Sequence, residues 1–326
     1  MIEPLITFAL ALGVILLAQI AESRRWARWI LYLILLILGS VLLLGGVIIL
    51  LDPALLNEAG EEMNGVGFGW MVVITGLLIL APTLRAMMLG RRGRDGDIRG
   101  VPWTRPVHLT AWALLITFIG SNFAIAMIKD LSALEVEEPL VLILGQNAAF
   151  ALAALLGVGW GVRRNWRDVT RRLGLKRPTL NEFFIGAGMA LLMLFVTGAV
   201  GGLLALAFGE DMSASADFNT KILNQLPGAW AVLLMGLATG IGEELLYRGA
   251  LQPVAGLWIT SLLFAVSHIQ YLSPAILVIF LLGALLGWTR NRWGVNTAIW
   301  SHAVYNSLVG LIALTATHFD QFIPGV

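Results

Sequence analysis

Six side chains in the C-terminal third of the chain could do chemistry together. They are Glu243, Glu244 and Arg248 in "GIGEELLYRG" (240 to 249), His268 in "FAVSH" (264 to 268), and His302 with Asn306 in "HAVYN" (302 to 306). All lie in stretches otherwise apolar enough to be membrane helices. A carboxylate at the bilayer centre costs about 3 kcal/mol on insertion scales, so two in succession need partners or a purpose. Glu244 and Arg248 are spaced i, i+4 and share a helix face, so they can neutralise each other within one turn. Glu243 points about 100° away and has no partner close in sequence. His302 and Asn306 are also i, i+4 and share a face.

A carboxylate, two imidazoles and a carboxamide suggest attack by an activated water, because the chain has no cysteine and no Ser-His-Asp pattern. A carboxylate withdrawn from water gains affinity for protons, which suits a general base, the role expected of Glu243. One histidine can share the water or protonate the leaving amine. The other histidine and the Asn306 amide can donate to the oxyanion of a tetrahedral intermediate. That chemistry is amide hydrolysis inside a membrane. The same atoms have a rival use as metal ligands: Glu243, His268 and His302 could hold zinc, whose bound water is acidic enough to attack. No His-Glu-x-x-His run or close histidine pair occurs, so such a site would have to be assembled across helices. The metal-free version, with no cofactor required, is favoured, with zinc as the alternative.

These groups need helices to hold them at one depth. The chain has 326 residues, 58% hydrophobic and 13% charged, with a mean hydropathy of +0.85, which is outside the range of soluble domains. Runs such as "ILYLILLILGSVLLLGGVIILL" (30 to 51) have no two-residue period, which argues against a β-barrel and for an all-α, polytopic transmembrane bundle. The apolar runs predict about ten crossings: 5 to 21, 29 to 51, 69 to 89, 108 to 128, 139 to 162, 183 to 208, 229 to 252, 256 to 271, 274 to 289 and 295 to 315. The first is expected to be a retained helix, since no basic segment precedes it.

Basic residues fall on alternate loops: Arg24, Arg25 and Arg28; Arg91, Arg92, Arg94, Arg99 and Arg105; Arg163 through Arg177; and Arg290 with Arg292. The other loops are mainly acidic, with Asp52, Glu58, Glu61 and Glu62, then Asp130, Glu135, Glu137 and Glu138, then Glu210, Asp211 and Asp217. The positive-inside rule then places both termini outside and the arginine-rich loops in the cytoplasm of a bacterial-type cell membrane. These basic loops report topology, so no nucleic-acid partner is expected. The expected partners are membrane lipid and a membrane-associated peptide or protein substrate.

The polar insert "RRNWRDVTRRLGLKRPTLNE" (163 to 182) reads as a short helix on the inner leaflet and marks the main boundary. Residues 1 to 165 then form N-terminal helices of unknown role, and 166 to 326 the core that carries the chemistry. Depth links four of these residues. Counted from the cytoplasmic turns, Glu243 lies about 15 Å up, His268 about 20 Å, and His302 and Asn306 about 12 to 20 Å, all near mid-membrane. Gly198 with Gly202, and Gly283 with Gly287, are small-xxx-small pairs that permit close helix packing. His108 and His318 fall at predicted helix ends and read as interfacial.

"EELLYR", "FAVSH" and "HAVYN" resemble the Glu-Glu-xxx-Arg, Phe-xxx-His and His-xxx-Asn motifs of the CAAX-protease and bacteriocin-processing family, also called the abortive-infection family. The motifs stand in that family's order, "RRLGLKR" (171 to 177) is similar to the segment before its core, and the resemblance covers roughly residues 170 to 316. It implies an intramembrane endopeptidase of the prenyl-protein-processing type, acting on a membrane-associated and in some relatives prenylated protein. Carried over by position, Glu243 and His268 would activate the water, His302 and Asn306 would form the oxyanion hole, and Glu244 with Arg248 would support the site. Members are often named metalloproteases. Two other readings stand beside it: a non-catalytic membrane partner, such as a scaffold or bacteriocin-immunity protein, whose extra helices bind another chain, and a proton-coupled transporter, since buried Glu and His also mark proton paths. No inverted repeat supports the transporter.

Overall fold

Long apolar runs in a medium without water must satisfy every backbone amide and carbonyl internally, and the helix does so within one segment. The computed structural model follows that rule. It describes residues 2–59, 64–91, 105–126, 138–209, 220–268 and 273–322. The helices are α1 (Ile2–Ala21), α2 (Arg25–Leu51), α3 (Gly65–Arg91), α4 (Pro106–Ala126), α5 (Pro139–Gly157), α6 (Trp166–Leu173) and α7 (Leu180–Phe208). They are followed by α8 (Ala229–Glu244), a π-helical segment (Leu245–Leu251), α9 (Gln252–Ala255), α10 (Leu257–Val266), α11 (Ile276–Trp293) and α12 (Val295–Phe322). The single β-bridge among the described residues joins Trp160 and Arg164, so the chain is an all-helical, multi-span membrane bundle.

Seven helical stretches among the described residues are long and apolar enough to cross a bilayer. They are Arg25–Leu51, Gly65–Leu89, Pro106–Phe123, Pro139–Gly157, Leu180–Phe208, Ala229–Ala255 and Val295–Thr315. The expected runs 5 to 21, 256 to 271 and 274 to 289 are not among them. Ile6–Ala21 and Leu257–Val266 are apolar but shorter, and α10, with 10 residues, rises only about 15 Å, half a hydrocarbon core. The polar residues Ser267, His268 and Gln270 follow directly after that helix. Trp103 and the loop charges Arg92, Arg94, Arg99, Glu61, Glu62, Lys129, Asp130, Glu135, Glu137, Glu210, Asp211 and Asp217 lie outside the described residues.

The chain divides into two compact units, residues 1–130 with 159–165 and residues 131–158 with 166–326. In the first unit α2 and α3 run together because glycines let them: a Cβ on Gly46 would stand 2.7 Å from the Val73 nitrogen, and one on Gly76 2.6 Å from that of Leu43. Leu31, Leu35, Ile79 and Leu109 fill the core of this unit. Its loop Arg163 donates to Gln19 Oε1 at 2.6 Å and lies 3.6 Å from Glu22.

The second unit carries all six candidate residues. Its α7 opens on a capping box in which Thr179 and Glu182 satisfy each other's backbone amides. Helix α8 is pressed between α5 and α12. A Cβ on Gly242 would lie 2.5 Å from the Asn147 carbonyl oxygen, and one on Gly240 2.8 Å from both the Cβ and the nitrogen of Ala303. Of the two small-residue pairs, Gly283 and Gly287 pack against Phe264 and Gln252, whereas Gly198 and Gly202 face nothing within 4 Å. Gly240→Val should therefore push α12 off α8. Overpacking of this kind costs about 1 to 3 kcal/mol, and a lowered midpoint in detergent thermal unfolding would register it; an unchanged midpoint would contradict the close approach.

The π-helical segment replaces the plain helix expected through residue 252. One residue is in effect inserted, and such insertions leave carbonyls without their usual partners at the exit. Arg172 of α6 takes two of them, donating from Nη1 to the Gly249 oxygen at 3.1 Å and from Nη2 to that of Ala250 at 3.3 Å. Val169 and Leu173, on the same short helix, are buried beside Ala154, Val158 and Leu245. The amphipathic α6 thus braces the segment that begins immediately after Glu244.

Candidate functional site

Glu243 and Glu244 are the last two residues of α8, and Arg248 sits one turn on in the π-helical segment. Glu244 and Arg248 are both fully buried. Arg248 Nη1 donates to Glu244 Oε1 at 3.0 Å, and Nη2 donates to the Gly283 carbonyl of α11 at 2.9 Å. The guanidinium carbon stands 4.4 Å from the centre of the Phe264 ring, so the cation is held by a carboxylate, a carbonyl and an aromatic face. Glu244 has a further partner, far away in sequence: His302 Nδ1 donates to the same Oε1 at 2.9 Å. The second glutamate therefore joins α8, the π-helical segment and α12.

That bond fixes what His302 can do. With Nδ1–H given to Glu244, Nε2 of the neutral ring carries a lone pair, and it becomes a donor only when the imidazole is protonated. Asn306, one turn along α12, donates from Nδ2 to Thr239 Oγ1 at 2.9 Å, and Thr239 in turn donates to carbonyls of its own helix. One amide hydrogen of Asn306 is thereby used, leaving the other.

Glu243 and His268 form a separate pair. Glu243 Oε2 lies 3.9 Å from His268 Nε2 and is buried with no hydrogen-bond partner within the described protein. His268 Nδ1 is 2.8 Å from the Phe264 carbonyl. A carbonyl only accepts, so Nδ1 holds the proton and Nε2 presents a lone pair toward Glu243. Two acceptors face one another at a distance too long for a direct bond, and a water donating one hydrogen to each would satisfy both. The Phe264 ring touches both histidines, 4.8 Å from the His268 centroid and 5.9 Å from that of His302.

The other use of these atoms is a metal held by Glu243, His268 and His302. Both histidines have Nδ1 engaged by oxygen, as metal-bound histidines do. Among the described residues, however, no three His, Asp or Glu side chains converge closely enough to hold an ion. His108 lies in α4 of the first unit, and the His318 side chain is outside the described residues.

Several contributors were not singled out from sequence. Thr239 stands one turn before Glu243, a spacing that could have found it. The Gly283 carbonyl and the His302 bond to Glu244 join residues dozens of positions apart and leave no local trace. Tyr247, buried beside Arg248, donates to Ser267 Oγ at 2.8 Å.

Comparison with known proteins falls on this same region. Residues 225–308 match the family described as type II CAAX prenyl endopeptidase Rce1-like, a stretch that contains all six candidate residues. A Bacillus subtilis (strain 168) protein named YpbD and described as uncharacterized is 41% identical over 73 residues, covering 21% of this chain and 39% of that relative. The chain thus spans well under half the length of the curated relative it matches. No solved structure matches the chain.

Proposed function

We propose, from the match of residues 225–308 to the type II CAAX prenyl endopeptidase Rce1-like family, that the chain is an intramembrane endopeptidase. It hydrolyses a peptide bond of a membrane-associated protein or peptide, with a prenylated C-terminal segment as the first substrate class to test. The observation that carries this reading is the facing pair of acceptors, Glu243 Oε2 and His268 Nε2, 3.9 Å apart. A water between them is oriented by both, and Glu243 takes its proton as the oxygen attacks the carbonyl carbon. The carbon–nitrogen bond then breaks, and the proton passes from Glu243 to the leaving amine.

The negative oxygen formed in between is received by the remaining Asn306 N–H and by His302 Nε2–H of the imidazolium. Charge balances there, with Glu244 and the oxyanion set against Arg248 and His302. The membrane is a bacterial-type cell membrane, with the arginine-rich loops in the cytoplasm. In that orientation the π-helical segment and α6 face the cytoplasmic leaflet, the side from which lipid-anchored substrates would enter.

The test is cleavage of a farnesylated peptide by the full chain reconstituted in lipid vesicles, followed by mass spectrometry. Cleavage by the wild type and its loss on Asn306→Ala, by about 10²-fold or more in kcat with KM little changed, is the expected result. A non-catalytic membrane partner would give no cleavage with either chain.

A further inference from the structure

The lone pair that His268 offers to the site depends on which of its nitrogens holds the proton, and three neighbours bear on that choice. Phe264 lies in the last turn of α10 (Leu257–Val266), where carbonyls have lost their helical partners. The His268 amide turns instead to the Ala265 oxygen at 2.9 Å. Two donors take up the Phe264 carbonyl: His268 Nδ1 at 2.8 Å and Ser267 Oγ at 2.8 Å. Ser267 Oγ is also 3.4 Å from His268 Nδ1. If the serine turned its single proton toward that nitrogen, the imidazole would carry its own proton on Nε2. The lone pair facing Glu243 would be lost.

Tyr247 opposes that turn. Its hydroxyl donates to Ser267 Oγ at 2.8 Å, and its ring meets Phe264 edge-on, with centroids 5.2 Å apart at 88°. Tyr247 and Ser267 are both buried, 1% and 5% exposed, so water does not compete for these bonds. A serine hydroxyl has one proton and two lone pairs. With Tyr247 donating to one lone pair, the geometry favours the serine proton staying on the Phe264 oxygen.

We propose that Tyr247 is a positioning residue which, acting through Ser267, holds His268 in the tautomer protonated on Nδ1 and so keeps Nε2 an acceptor toward Glu243. Its consequence for cleavage rests on the peptidase reading; the tautomer itself does not. In water the tautomer protonated on Nε2 is the commoner form, so the effect is visible. The chain has four histidines, few enough to assign by nitrogen-15 NMR of histidine-labelled full chain in detergent, using His268→Gln to identify the signal.

Above the imidazole titration, the wild type should show His268 protonated on Nδ1. Tyr247→Phe should shift it to a mixture or to the form protonated on Nε2. Adding Ser267→Ala to Tyr247→Phe removes the competing donor and should restore the wild-type pattern, an outcome that a loss of packing would not produce. Cleavage should follow, with kcat falling about tenfold in Tyr247→Phe at constant KM and recovering in the double variant. A wild-type His268 protonated on Nε2, or a Tyr247→Phe chain with the wild-type pattern, would overturn the proposal. So would a double variant that stays shifted. Should Tyr247→Phe not fold, the wild-type tautomer and that of Ser267→Ala, expected on Nδ1 in both, decide the matter. If the tautomers behave as stated and no peptide is cut, the peptidase reading fails and this one stands.

Discussion

Glu243→Gln should lower peptide cleavage by about 10³-fold or more while the chain still inserts and folds, and His268→Ala should lower it by a comparable factor. The two losses should not multiply. Glu243 Oε2 and His268 Nε2 face each other across 3.9 Å, and if both act on one water, removing either removes its activation. The double variant should then be about as slow as the slower single one, as for other groups that work as a unit. Glutamine keeps the volume of Glu243 but its amide is a poor proton acceptor, so the change isolates the basicity. Initial rates on a reconstituted chain, with monodisperse elution as the folding control, check both statements. Fully multiplicative losses would place the two residues in separate steps.

The largest effect on stability should come from Arg248→Met. Arg248 and Glu244 are both fully buried, and the guanidinium is also bonded to the Gly283 carbonyl. Removing one partner of such a pair leaves an uncompensated carboxylate, which costs about 3 to 5 kcal/mol. Thermal unfolding in detergent should show the midpoint falling by about 10 °C. The double replacement Glu244→Gln with Arg248→Met should be less destabilised than Arg248→Met alone, because no charge is then stranded. His302 moderates the cost by offering Glu244 another donor at 2.9 Å. A double variant less stable than the single one would mean that Arg248 acts mainly through Gly283 and Phe264.

Much of this arrangement is legible in the sequence where the physics is local. Apolar runs mark helices because lipid leaves the backbone no alternative, and seven of the expected runs are long enough to cross. The i, i+4 spacing of Glu244 and Arg248 fixes a shared face before any tertiary contact is known. The rest depends on contacts between distant segments. Run 256 to 271 falls short of a span because α10 stops at Val266, where Ser267, His268 and Gln270 break the apolar sequence. The π-helical segment is hidden because Leu245 to Leu251 would be equally at home in an ordinary helix; it is held from outside, by Arg172 on the Gly249 and Ala250 carbonyls.

The site shows the same division. Sequence spacing separates Glu243 from the Glu244 and Arg248 pair, but it does not reveal that His302 belongs with Glu244 through a bond spanning 58 positions. Nor does it show that one hydrogen of Asn306 is already given to Thr239. Both facts narrow the chemistry, since His302 can donate to an oxyanion only from its protonated form. The match to the Rce1-like family stays within residues 225–308, so α1 to α4 stand outside it and carry no assigned role. Arg172 and Asn147 also lie outside that stretch, yet Asn147 packs against the helix that bears the glutamates and Arg172 bonds the π-helical segment that follows it.

The central claim is that Glu243 activates a water which attacks a peptide bond. Its most direct test compares wild type and Glu243→Gln on a farnesylated peptide in oxygen-18 water, with the products read by mass spectrometry. The account predicts one heavy oxygen in the new carboxylate of the wild-type product and no product above background from Glu243→Gln. Cleavage by Glu243→Gln at the wild-type rate would contradict it.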